Sequence, residues 1–356
     1  LSPAIPLIRV APVRAFAERL RSWGAPAERL LERARLSPRI LGEGDGEALV
    51  PLVAVARWLD DAARSQGMDD LGVRLGASGN VLQLGLFGRM LVSEATLGQG
   101  LARAFRVWSA FDSGERSWMT RRGDAVELHH RYLHADAPSW EQGTAVMLAL
   151  YLGHIASAAG PEWYPTAVSL PLRALPGARS LPLLANARLE FGCPWTRVAL
   201  PAWVLDRPLP DPRGSAHRIE DGSWGKDESA GDLGVSLRRV VTGLLPDGCP
   251  DVRLVAGAVG MSIRTLQRRL HAERLTFAGV VAAARFAEAR RMLRDPRRKI
   301  IDIALDLGYS DPSHFTRAFE RWAGMAPREF RRRAIAATDG RRHLPLPVEP
   351  VVGAGP

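Results

Sequence analysis

Apolar positions recur at helical spacing along most of the chain and switch to strict alternation in one place. Val13, Phe16, Ala17 and Leu20 share a helical face within residues 1–35, and a second short helix is predicted after Pro26. Leu52, Val55, Ala56 and Leu59 line one side of Pro51–Ala63. Beyond a glycine-rich stretch, Gly76–Gly88, the residues Leu97, Leu101, Ala104, Phe105 and Trp108 fall in phase over Thr96–Trp108. Ser117–Arg121 and Ala125–Tyr132 alternate instead, on either side of Arg122-Gly123-Asp124, and predict a β-hairpin. Trp140–Ala158 predicts a long helix with an apolar face. Thr166–Leu172 and Ala187–Phe191 predict strands, and Ala199–Leu205 leads into Leu209. From Leu233 to near Ile335 the pattern is helical throughout. The expected fold is an α+β N-terminal domain of uncertain topology, over residues 8–210, followed by an all-α C-terminal domain over residues 232–335. Between them, residues 207–231 are rich in Pro, Gly, Ser and charge, which predicts a linker at 211–231; the Pro-rich tail 336–356 predicts disorder.

The helical C-terminal part contains a near-repeat. Val255-Ala256-Gly257-Ala258-Val259-Gly260-Met261-Ser262 is followed by Leu266, Arg268 and Leu270. Ile303-Ala304-Leu305-Asp306-Leu307-Gly308-Tyr309-Ser310 is followed by Phe315, Arg317 and Phe319. Each copy reads as a short apolar helix, a glycine-centred turn and a second, amphipathic helix, which is the pattern of a helix-turn-helix. The second helix of such a unit is the one that enters a DNA major groove. In the first copy Ser262 is placed to cap that helix, with Leu266 and Leu270 on its buried side. Arg264, Gln267 and Arg268 fall on the opposite side, where Arg can bond guanine O6 and N7 and Gln can bond adenine N6 and N7. On a lone helix such a face is ordinarily just solvated. The glycine turn ahead of it and the second copy downstream favour DNA reading.

Charge follows the repeat. Residues 232–335 hold 20 Lys and Arg against 11 Asp and Glu, a net of +9, whereas residues 1–231 hold 26 against 25, a net of +1. A phosphate-binding surface therefore belongs in the C-terminal part. Two cysteines, Cys193 and Cys249, are too few for a disulfide scaffold and show no metal-ligand spacing, so a reducing cytosol is expected. The longest apolar run, Met147–Ala159, is interrupted by His154, and no secretory leader pattern opens the sequence, so neither a membrane span nor export is expected.

The second copy carries a more specific signature: Ile303-Ala304, Leu307-Gly308-Tyr309-Ser310-Asp311, Ser313-His314-Phe315-Thr316-Arg317-Ala318-Phe319, then Gly324 and Ala326-Pro327-Arg328-Glu329-Phe330-Arg331. In this order and spacing it resembles the DNA-binding domain of the AraC/XylS family of bacterial transcription regulators. The resemblance implies two helix-turn-helix units joined by a long central helix, here over Phe277–Leu293, with both recognition helices meeting successive major grooves of double-stranded DNA. Carried over by position, Arg264, Gln267 and Arg268 contact bases from the first unit. Ser313, His314 and Arg317 supply donors from the second, which in this family often contacts phosphates. Asp311 caps the second recognition helix, Pro312 positions it, and Gly324 and Pro327 fix the turn before the last helix. Leu84-Gly85-Leu86-Phe87-Gly88, Ser93–Leu101, Leu189–Pro194 and Leu205–Pro210 resemble the N-terminal effector domain of the "arabinose-binding type" in the same family, a label that does not name the ligand. The resemblance implies a cytoplasmic, nucleoid-associated activator. Its expected partners are RNA polymerase, an unidentified small-molecule effector and a second copy of the chain. A ligand-independent regulator controlled by a protein partner is the alternative.

Other chemistry is sparse. Trp108, Trp118 and Trp140 are candidates to line an apolar effector pocket. His129, His130 and His134 sit near one hairpin, but on a strand His129 points away from the other two, so no metal site is expected. Some proteins with this DNA-binding domain carry a DNA-alkyl transferase module, which needs a Pro-Cys-His-Arg setting. Neither Cys193-Pro194 nor Cys249-Pro250 provides one. No Walker loop, Gly-x-Ser-x-Gly or His-Glu-x-x-His occurs, and neither enzymatic activity nor a cofactor is expected.

Overall fold

The computed structural model describes residues 4–42, 46–133, 140–209 and 232–338. The predicted linker and residues 339–356 of the predicted tail lie outside the described residues. The chain forms two compact units, one of Pro6–Ala230 and one of Gly231–Pro356 together with Leu1–Ile5.

The N-terminal unit starts not in a helix but in a short strand, β1 (Leu7–Arg9). After helices α1 (Ala11–Ser22) and α2 (Ala27–Arg33), the strand β2 (Leu49–Pro51) pairs antiparallel with β1. Helices α3 (Leu52–Gln66), α4 (Leu71–Ser78), α5 (Leu86–Val92) and α6 (Leu97–Phe111) follow. The glycine-rich stretch is thus largely helical. Its glycines permit close packing instead of breaking the chain: a Cβ on Gly76 would sit 2.6 Å from both the Val146 carbonyl oxygen and the Ala149 Cβ.

The predicted hairpin is β3 (Glu115–Arg122) with β4 (Ala125–Tyr132), turning at Gly123 with its φ of 60°. Helix α7 (Glu141–Ala159) and strands β5 (Ala167–Leu170), β6 (Arg188–Phe191) and β7 (Thr196–Pro201) complete a five-stranded sheet of order β3-β4-β7-β5-β6. Only the β5–β6 junction is parallel. Val126, Leu128 and His130 on β4 and Thr196, Val198 and Leu200 on β7 are buried, with His130 directly opposite Thr196. Helix α7 has no single apolar face: the whole run Leu148–Leu152 is buried, as expected of a helix enclosed by protein.

The C-terminal unit is all helix among the described residues: α8 (Leu233–Leu244), α9 (Val252–Ala258), α10 (Ile263–Ala272), α11 (Phe277–Leu293), α12 (Ile300–Asp306), α13 (Pro312–Ala323) and α14 (Pro327–Thr338). The central helix α11 packs on α8 and also meets α12 and α14. Around α9 and α10 the core is aliphatic, with Val255, Leu266, Leu270 and Val280 buried. Around α13 it is aromatic: Phe319 lies 5.6 Å from Phe286, 5.8 Å from Phe315 and 5.4 Å from Phe330 between ring centres.

Candidate nucleic-acid interface

The two repeats fold into matching turns. Gly260 and Gly308 both hold a φ of 73°, a region open to glycine and strained for other residues. Met261 N–H donates to the Ala256 carbonyl at 2.8 Å, and Tyr309 N–H donates to the Ala304 carbonyl at 3.0 Å. At Gly308 space is short as well: a Cβ there would meet the Cys249 backbone nitrogen at 2.9 Å. The second turn holds one more residue before its cap, because Ser262 follows Gly260 by two positions and Asp311 follows Gly308 by three.

Both recognition helices start on a side-chain cap. Ser262 Oγ accepts from Thr265 N–H at 3.1 Å, and an Asp311 carboxylate oxygen accepts from Ser313 N–H at 2.7 Å. Those bonds to Ser313 hold the Asp311 carboxyl below its ordinary pKa. With Leu266 and Leu270 buried on α10, the side chains of Arg264, Gln267 and Arg268 are exposed. With Phe315, Ala318 and Phe319 buried on α13, those of Ser313, His314 and Arg317 are exposed. Arg268 and Arg317 occupy the same position relative to their caps. Neither makes an ion pair among the described residues, so both guanidinium groups are available to an anionic partner.

One residue that the sequence did not single out positions the second turn. Arg285 on α11 donates from Nε to the Leu307 carbonyl at 3.0 Å and from Nη2 to the Gly308 carbonyl at 3.1 Å. Its guanidinium also lies 4.3 Å from the centre of the Tyr309 ring. The carbonyls at a helix C-terminus need such donors, and the cation suits the negative end of the α12 dipole.

Residues 24–209 match the family described as the N-terminal arabinose-binding domain of AraC transcription regulator, and residues 255–333 match a helix-turn-helix domain. The chain belongs to the AraC family of transcription regulators. AraC-family members combine helix-turn-helix DNA binding with an N-terminal ligand-binding domain, and this chain is such a regulator. It is 28% identical over 343 residues to the HTH-type transcriptional regulator VirS of Mycobacterium tuberculosis, covering 94% of this chain and 98% of that protein. It is 24% identical over 329 residues to the ornithine utilization regulator of Pseudomonas aeruginosa, covering 91% and 96%. The match to the solved structure of CdpR from Pseudomonas aeruginosa covers 73% of this chain and 86% of that one at 22% identity, with a TM-score of 0.33.

In the N-terminal unit the three candidate tryptophans are not brought together. Trp108 packs in the core against Phe87, Phe111 and Tyr151. Trp118 stacks on His129, 4.9 Å away, in a shallow cleft of about 430 Å³ that also takes in Cys193 and Arg197. Trp140 stacks on Tyr132, 4.2 Å away, and lines a different cleft of about 390 Å³. His129 and His130 lie on opposite faces of β4. The first bonds Thr120 and Trp195, and the second meets Glu115 at 3.0 Å. His134 lies outside the described residues.

Proposed function

We propose that this regulator is an activator that reads two successive major-groove segments of one DNA face, using α10 for bases and α13 for bases and phosphates. Arg264, Gln267 and Arg268 make the first set of contacts, and Ser313, His314 and Arg317 the second. A small molecule bound by the N-terminal unit sets its activity, and it acts as a homodimer that engages RNA polymerase in the bacterial cytoplasm. The observation that carries this reading is the pair of matched, capped helices, each offering an arginine at the same position. A bidentate arginine contact to guanine contributes about 1–3 kcal/mol of discrimination. The test is binding-site selection with the full chain and its Arg268→Ala and Arg317→Ala variants. Arg268→Ala is expected to relax preference at one base position at that cost. Arg317→Ala is expected to weaken binding to specific and random DNA more evenly. Equal losses on both kinds of DNA for Arg268→Ala would make it a phosphate contact, and the same result for Arg264→Ala and Gln267→Ala would remove α10 as the reading helix.

A further inference from the structure

We propose that Arg285 on the central helix α11 is the positioning residue that fixes the tilt of α13 relative to α10, and so sets the spacing between the two DNA elements that the chain accepts. This deepens, and rests on, the reading of α10 and α13 as tandem DNA-binding helices. Helix α11 is tied closely to the first recognition helix. Only residues 273–276 separate it from α10. Within that turn Leu275 N–H donates to the Leu270 carbonyl at 2.8 Å, and Thr276 Oγ1 accepts from Gly279 N–H at 3.1 Å. Whatever α11 grips further along is therefore placed relative to α10.

Helix α11 grips the second unit in two ways, at adjacent positions. Phe286 lies 5.6 Å from Phe319 and 5.8 Å from Trp322, both on α13. Arg285 donates to the Leu307 and Gly308 carbonyls, at 3.0 and 3.1 Å, just past the end of α12. Ring pairs tolerate a wide range of angles, whereas the planar guanidinium fork bonds in fixed directions. The aromatic contacts hold α13 against the core, and the fork fixes the orientation of the turn ahead of it. Tyr309 passes that constraint on. Its ring lies 4.3 Å from the Arg285 guanidinium carbon and 5.7 Å from the Phe315 ring on α13. The same turn abuts the start of the first unit, since a Cβ on Gly308 would meet the Cys249 backbone nitrogen at 2.9 Å, two residues before Asp251 caps α9. With two of its nitrogens committed to backbone carbonyls, Arg285 acts through the turn.

Moving one DNA element by one base pair turns it by about 35° around the duplex and shifts it by about 3.4 Å, which a rigid pair of helices cannot follow. Affinity of the full chain is measured by fluorescence anisotropy on its selected site and on sites with the second element one base pair closer or farther. The unmodified chain is expected to prefer the selected spacing by about tenfold or more, and Arg285→Met and Arg285→Lys to bring that preference below about threefold. Lys keeps the positive charge beside the end of α12 but lacks the fork, so it separates geometry from charge. All three proteins are compared at a temperature where their melting curves show them folded. A preference kept by Arg285→Met overturns the proposal. So does an equal loss of affinity at every spacing, which marks Arg285 as purely structural. A preference kept by Arg285→Lys alone shows that charge suffices and overturns the fork. An unmodified chain indifferent to spacing removes the tandem reading and this proposal with it.

Discussion

Among the described residues, eleven buried polar or charged side chains lie in residues 6–209 and only one, Ser236, in residues 232–338, while net charge runs the other way, +1 over residues 1–231 and +9 over 232–335. The C-terminal unit keeps its core apolar and places its charge outside, where DNA phosphates can meet it. The N-terminal unit buries Asp112, Glu115, His130 and His154 inside, and Thr144 and Thr196 beside a cleft. Burying such groups is costly unless partners are supplied, as Glu115 is for His130 at 3.0 Å. The contrast separates a surface suited to a polyanion from an interior that holds buried polar groups.

The largest expected effect comes from breaking the apolar side of this contrast. Phe319→Ala removes a ring enclosed by Phe286, Phe315 and Phe330 and is expected to destabilise the C-terminal unit by about 3–5 kcal/mol in urea unfolding. A loss under about 1 kcal/mol would mean that this core is loosely packed.

The polar side is tested by pH. Burial lowers the His154 pKa from 6.5 to about 4, so its contribution is present above pH 6.5 and is lost as pH falls toward 4. In full this amounts to about 3 kcal/mol. Asp60 works in the opposite sense. Burial, against the pull of Arg64, raises its pKa from 3.8 to about 6, so stability falls as pH rises through that range. His154→Gln is expected to make stability rise less between pH 4 and 6.5, and Asp60→Asn to make it rise more. Hydrogen exchange at amides of residues 52–66 and 141–159 checks this, and profiles identical to the unmodified chain would contradict it.

The smallest effect sharpens the likeness between the two helix-turn-helix units. Ser262→Ala is expected to cost about 1 kcal/mol of stability through its lost cap, and Asp311→Ala a similar amount. Thermal melting checks both. A null effect for one cap would show that the two recognition helices are not held alike.

What the sequence revealed follows physical lines. The hairpin was legible because strict alternation flanks Gly123, and the tandem units because each has its own glycine turn, cap and amphipathic helix. The β1–β2 pair was not, since two three-residue strands some forty residues apart leave no periodic trace. Helices α4 and α5 were masked by glycines whose role is close approach, which composition cannot separate from turn formation. Arg285 reads as one more charged helical residue until the α12 carbonyls are placed beside it. Among the described residues, the three tryptophans singled out by type lie in different surroundings: Trp118 and Trp140 line different clefts, and Trp108 packs in the core.

The most direct measurement of the tandem reading is hydroxyl-radical footprinting of the full chain on its selected site. Matched helices α10 and α13 predict two short protected segments centred about 10 base pairs apart on one face of the DNA. With protein at saturating concentration, Arg268→Ala should weaken protection of one segment and Arg317→Ala that of the other. A single protected segment, or two that fade together in either variant, would contradict it.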